Sequence, residues 1–187
     1  MDLSFRHDFW YQGLTASPKD GGTVRGIVVR PPELGSGGRR CLERVRATPE
    51  GGLEGDRWAS DQARLGPDQV SLINVHVLES LAGRDPERKA LSGDNLHVDL
   101  DLTEANLPVG TQLEIGEVLL EVSPQPHRPC RLFHERFGAS GAKKVARANQ
   151  RGRRGRGVLC LVRRAGEISV GDPIRVLRSP EPDPSAG

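Results

Sequence analysis

Thr111-Gln112-Leu113-Glu114-Ile115-Gly116-Glu117-Val118-Leu119-Leu120-Glu121-Val122 reads as a β-hairpin, and the fold class follows from it. Leu113 and Ile115 alternate with Gln112 and Glu114, the period of a half-buried strand. Gly116-Glu117 is a two-residue turn, after which the chain returns antiparallel. Similar short runs lie on both sides. Upstream, residues 23–30 form a β-branched run stopped by Pro31-Pro32, and residues 41–47 alternate. Residues 69–74 and 95–100 add two more strands. Downstream, residues 158–162 are wholly apolar, and 168–170 and 173–177 are short strands between tight turns, the first of them at residues 163–167. Helical spacing is confined to 75–81, stopped by Gly83, and to 132–137 and 140–150, with a short helix at 9–11. Eight or nine short strands with two or three helices predict a mainly β protein. Its close turns favour a closed or nearly closed barrel over a βαβ sheet.

The 187 residues suffice for one hydrophobic core. Mean hydropathy is −0.49. No apolar run approaches the roughly 20 residues that cross a bilayer, and the first residues lack the pattern of a signal peptide. The three cysteines, at 41, 130 and 160, are odd in number and far apart, which suits reduced thiols in a cytoplasm. Residues 1–21 read as an arm of low order, and 179–187, with three prolines, as a disordered tail. Residues 125–164 hold twelve Lys and Arg but one acid, Glu135, leaving fifteen basic and twenty-four acidic side chains elsewhere. Such a segment is either an anion-binding surface or a solvated helix face.

Within it lies Pro126-His127-Arg128-Pro129-Cys130-Arg131-Leu132-Phe133-His134. Positive charge favours a thiolate, so Cys130 is expected to ionise more readily than a free thiol. Cys160, between leucines, reads as a buried, inert thiol, and Cys41 as an ordinary strand cysteine. His97 reads as a surface histidine on the polar side of its strand. Three functions compete: a cofactor protein using Cys130, a binding module for nucleic acid or an acidic partner through residues 128–164, and a metal-free thiol enzyme in which His127 or His134 activates Cys130. Only Phe133 and Phe137 interleave the basic residues, so nucleic-acid stacking is poorly served.

Seven pieces occur in order: Gly52-Leu53-Glu54-Gly55-Asp56-Arg57; Gln69-Val70-Ser71-Leu72-Ile73; Asp94-Asn95-Leu96; Leu107-Pro108-Val109-Gly110 with Leu113-Glu114-Ile115-Gly116; Pro129-Cys130; Arg156-Gly157-Val158; and Gly166-Glu167-Ile168 with Val170-Gly171-Asp172. The series resembles the MOSC domain, found at the C-terminus of molybdenum cofactor sulfurases and as small standalone bacterial proteins. The resemblance covers residues 22–178. It implies a barrel like that of the small domain of pyruvate kinase. It also implies binding of the molybdenum cofactor, a phosphorylated pterin dithiolene, with an oxidoreductase acting on N-hydroxylated or similar substrates, or a sulfur carrier, as the activity. An electron-transfer partner protein is then implied, and a PLP site is not.

By that resemblance Cys130 is the catalytic residue and the molybdenum ligand. Asp56, Arg57, Asn95, Arg128, Arg131, Arg154, Arg156 and Gly157 are the cofactor-binding candidates, expected around one pocket. Arg156 and its neighbours Arg151, Arg153 and Arg154 offer forks for the cofactor phosphate. Two positions depart from the family pattern: Trp58 stands where relatives often carry histidine, and Asp94 where they commonly carry Arg or Glu.

Overall fold

The computed structural model describes residues 9–35, 37–60 and 69–177. The expected tail at 179–187 lies outside them. The strands are β1 (Gly22–Val29), β2 (Arg40–Leu42), β3 (Arg44–Thr48), β4 (Gly52–Leu53), β5 (Val70–Asn74), β6 (Leu96–Asp99), β7 (Gln112–Ile115), β8 (Val118–Val122), β9 (Val158–Arg164), β10 (Gly166–Ser169) and β11 (Pro173–Leu177). The helices are α1 (Val75–Ala82), α2 (Pro86–Ala90) and α3 (Arg131–Gln150), preceded by a helical turn at 9–12. There are thus more strands than expected, and α2 is an unforeseen helix whose N-cap is Asp85.

The order β11-β7-β8-β9-β5-β6-β1 closes on itself through β1–β11 pairing, a seven-strand barrel. Only β5–β6 is parallel. The β7–β8 hairpin turns at Gly116-Glu117, as its sequence indicates, with Ile115 opposite Val118. The interior is aliphatic, with Val24, Leu72, Leu96, Val98, Leu113, Leu120 and Val176 among its members, and Cys160 lies fully buried among them. Burial pushes the Cys160 thiol up to about 12, so it stays protonated.

Residues 41–47 make not one strand but two. Glu43 interrupts them: β2 adds to β1 outside the barrel, while β3 joins β4 and β10 in a separate three-stranded sheet. β9 runs to Arg164 rather than ending at 162, because Leu119 and Leu120 pair with Arg164 and Val162 across a bulge.

Outside the barrel, Val77, Phe133, Ala142 and Val145 form a second apolar layer, with Trp10, Tyr11 and Leu14 packed on it. Within the expected arm, Trp10, Tyr11 and Leu14 are therefore packed against this layer. The Trp10 indole donates to Ser80 Oγ, the Tyr11 hydroxyl to the Arg153 carbonyl, and Asn74 to Ser17 Oγ.

Gly157 sits where this layer meets the barrel. Its φ is +92°, and a Cβ there would run into the backbone of Leu72 and Ile73. Gly157→Ala is expected to lower stability by about 1–3 kcal/mol. A fall in the urea midpoint without a change in slope is the measurement that checks this.

Candidate functional site

The Pro-rich segment after β8 crosses the barrel rim and delivers Cys130 to the N-cap of α3. Two contacts hold it. Asn149, near the end of α3, donates to the His127 carbonyl (2.7 Å) and accepts from the Arg156 amide (3.0 Å), tying this loop to the loop before β9. Asn149 carries no signal in the sequence, because its role depends on three segments meeting. Gly138, at φ +71°, kinks α3 between its first two turns and the rest of the helix.

The exposed Cys130 opens onto a cleft of about 450 Å³. Arg30, Arg39, Arg57, Arg128, Arg131, Arg136 and Arg156 all line it, with Trp58, His127 and Phe133. Burial, then the neighbouring Arg136, Arg57 and Arg30, lower Arg39 to about 10, so each guanidinium feels the others' charge. The cleft wall is thus rich in cationic side chains, of which Arg30 and Arg156 are paired with Asp56 and Asp94. Sequence reasoning found Arg57, Arg128, Arg131 and Arg156 but missed Arg30, Arg39 and Arg136, which come from the residue after β1, the segment before β2 and α3.

Asp56 and Asn95 lie beneath the cleft rather than on its wall. Asp56 accepts from the Arg30 amide (2.9 Å), Arg30 Nε (2.9 Å), Arg30 Nη2 (2.7 Å), the Trp58 amide (3.0 Å) and Asn95 Nδ2 (3.1 Å). Burial raises its pKa, but Arg30 and the two amides outweigh that and keep it below the usual carboxylate range. Asn95 also accepts from the Ser71 amide and hydroxyl and donates to the Val28 carbonyl. Both residues therefore hold β1, β5 and β6 together and aim Arg30.

Arg156 is buried. Its Nη1 meets both oxygens of Asp94 at 2.6 Å, Nη2 donates to the Ser92 carbonyl, and its plane lies 4.6 Å from the Phe133 ring centre. Burial pushes Asp94 up, but Arg156 outweighs it and keeps the carboxylate ionised. Asp94 thus anchors Arg156.

Arg154 and Gly157 line a different, larger cleft of about 910 Å³ on the far side of the Pro-rich loop. Arg154 Nη1 donates to the Leu107 carbonyl (2.7 Å), a structural tie. Arg153 lies over the Tyr11 ring at 5.2 Å, away from both clefts. The expected single pocket is therefore two clefts, with Gln125, Pro126, His127 and Arg128 forming their shared wall.

His97 is buried rather than at the surface. It pairs with Gly26 across β1–β6, and the missing Cβ leaves room for the imidazole. Burial lowers it to about 4, against the pull of Asp94. A histidine depressed in the folded state contributes stability above its unfolded value near 6.5 and loses it as pH falls towards about 4. The loss is about 1.4 kcal/mol per pH unit in that window. His97→Gln is expected to remove about one proton from the uptake that accompanies acid unfolding, read as a shallower fall of the urea midpoint between pH 6.5 and 4.

With the geometry in place, comparison with known proteins is informative. A family model, the MOSC domain, matches residues 66–175. The YuaD protein of Bacillus subtilis superposes with a TM-score of 0.61 at 16% identity, over 83% of this chain and 94% of that one. YiiM of Escherichia coli gives 0.52 at 26% identity, over 83% and 70%. YiiM of Geobacillus stearothermophilus gives 0.57 at 21%, over 84% and 75%. No curated protein matches the chain.

Proposed function

The chain belongs to the MOSC domain family, and on that premise we propose that it binds the molybdenum cofactor in the arginine-lined cleft, with the Cys130 sulfur as its ligand to molybdenum. The observation that carries this reading is the placement of one exposed thiol at the mouth of a cleft lined by seven arginines. The donor set fits the group. A sulfur ligand suits a soft, sulfur-bound metal, and guanidinium forks suit a phosphate and the oxygens of a pterin. Among the described residues no three His, Cys, Asp or Glu side chains converge as a metal cage, and a metal that brings its own dithiolene sulfurs needs little more than one protein ligand.

In this reading the cofactor would supply two-electron chemistry at oxygen, as in the reduction of N-hydroxylated compounds; in the sulfur-carrier alternative Cys130 itself would hold the sulfur. The chain's residues supply the rest. Arg57, Arg128 and Arg131 bind anionic oxygens, with Arg30 aimed by Asp56 and Arg156 held by Asp94 in support. Phe133 and Trp58 exclude water from the inner wall. Electrons come from a partner protein.

Oxidoreductase and sulfur carrier are separated by one assay. Protein supplied with reduced viologen dye and an amidoxime is expected to oxidise the dye with formation of the amidine. Dye oxidation that fails, together with a persulfide on Cys130 by mass spectrometry, would assign the carrier role.

The nucleic-acid reading has less support. Of the twelve basic side chains between 125 and 164, Arg156 is buried on Asp94, Arg154 serves backbone carbonyls, and Lys144 and Arg153 lie over Trp10 and Tyr11. Arg163 and Arg164 are paired with Glu121 and Glu114. A thiol enzyme activated by His127 has less still, since that ring turns to Asp94, Nδ1 lying 3.7 Å from Oδ1.

A further inference from the structure

His127 occupies the wall shared by the two clefts, three residues from Cys130. Its Nδ1 is buried without a hydrogen-bond partner and lies 3.7 Å from Asp94 Oδ1. Asp94 is fully buried and ionised against Arg156. A nitrogen lone pair facing a buried carboxylate would be repelled, whereas an N–H there is attracted. The proton of a neutral imidazole therefore belongs on Nδ1. The ring does stay neutral: burial and Arg156 lower it to about 3, Arg30 adding to this and Asp94 opposing it. Nε2 is then left as a bare lone pair on a residue that lines both clefts.

We infer that His127 Nε2 is a hydrogen-bond acceptor of this site, held in that tautomer by Asp94 as a positioning residue, and that it selects ligands carrying an O–H or N–H at the junction of the two clefts. The surroundings make this lone pair distinctive. The arginines offer donors alone, so a fully deprotonated oxyanion can satisfy them but has nothing to give Nε2. A protic group, such as the hydroxyl of an N-hydroxylated compound, meets both. The ligand class rests on the cofactor reading above; the tautomer is a property of the chain itself.

Long-range proton–nitrogen correlation spectra of histidine-labelled protein test it, with His127→Gln used only to assign the resonance. The expected result is a neutral Nδ1–H tautomer for His127 from pH 8 down to pH 5. Benzamidoxime should shift Nε2, and its O-methyl ether should not. His127→Ala should weaken the amidoxime about tenfold, the size of one net hydrogen bond, and leave the ether unchanged. An Nε2–H tautomer, an unmoved Nε2, or equal loss for both compounds would overturn the inference. Molybdenum content of the same sample separates the two readings: metal with the wrong tautomer sinks only this inference, and the right tautomer without metal sinks only the cofactor reading.

Discussion

Cys130→Ser is expected to reduce molybdenum in the purified protein at least about tenfold while leaving its stability unchanged or slightly raised. Loss of a residue that merely orients a metal ligand costs about 10–100-fold in affinity, so loss of the ligand itself costs no less. A serine hydroxyl does not ionise near neutrality, so it is a far poorer ligand than a thiolate there. The fold gives no reason for collapse. Cys130 is exposed, and as N-cap of α3 its side chain makes no capping bond. Serine is among the preferred N-cap residues, so the helix gains if anything. Elemental analysis beside a urea titration separates the two effects. Cys160→Ser is the counterpart: it buries a hydroxyl in the barrel core, so stability falls while metal is retained.

Arg156→Met is expected to cost about 3–5 kcal/mol, the cost of stripping one partner from a buried ion pair. Asp94 would remain at 0% exposure with its charge facing the Ser92 carbonyl region and the Phe133 ring that Arg156 now covers. The pH dependence reverses sign. With Arg156 present, Asp94 has a depressed pKa, so its stabilisation is present above the unfolded carboxylate value near 3.9 and fades below it. Without Arg156, burial alone raises Asp94, and the variant is relatively rescued as pH falls and the carboxyl is neutralised. Adding Asp94→Leu should recover part of the loss at neutral pH, because apolar replacement of both partners removes the stranded charge. Urea midpoints of the wild type, the two single variants Arg156→Met and Asp94→Leu and the double variant, taken at two pH values, measure this directly.

The strands were legible where local pattern and tertiary environment agree. The β7–β8 hairpin shows alternation and a Gly-containing turn, and β9 is an unbroken apolar run. His97 misled because alternation in β6 marks two faces, and here the outer face is covered by α1 rather than by water. The break at Glu43 was illegible because both halves continue one period while joining different sheets. The site divides in the same way. Cys130 and its arginines announce themselves by adjacency. Arg30, Arg39, Arg136 and Asn149 reach the site only through long-range closure of the barrel, and nothing local marks them. Asp56 and Asn95 belong to the cleft's foundation, since their hydrogen-bonding capacity is taken up by Arg30, Ser71 and Val28.

Metal and pterin analysis of the wild-type protein, expressed in a host with cofactor synthesis intact, tests the central claim most directly. Molybdenum and a molybdopterin-derived pterin co-purifying in equal amounts, each near one per chain and both absent from a host that cannot make the cofactor, is the predicted result. Protein from the intact host that folds normally and carries neither would contradict it.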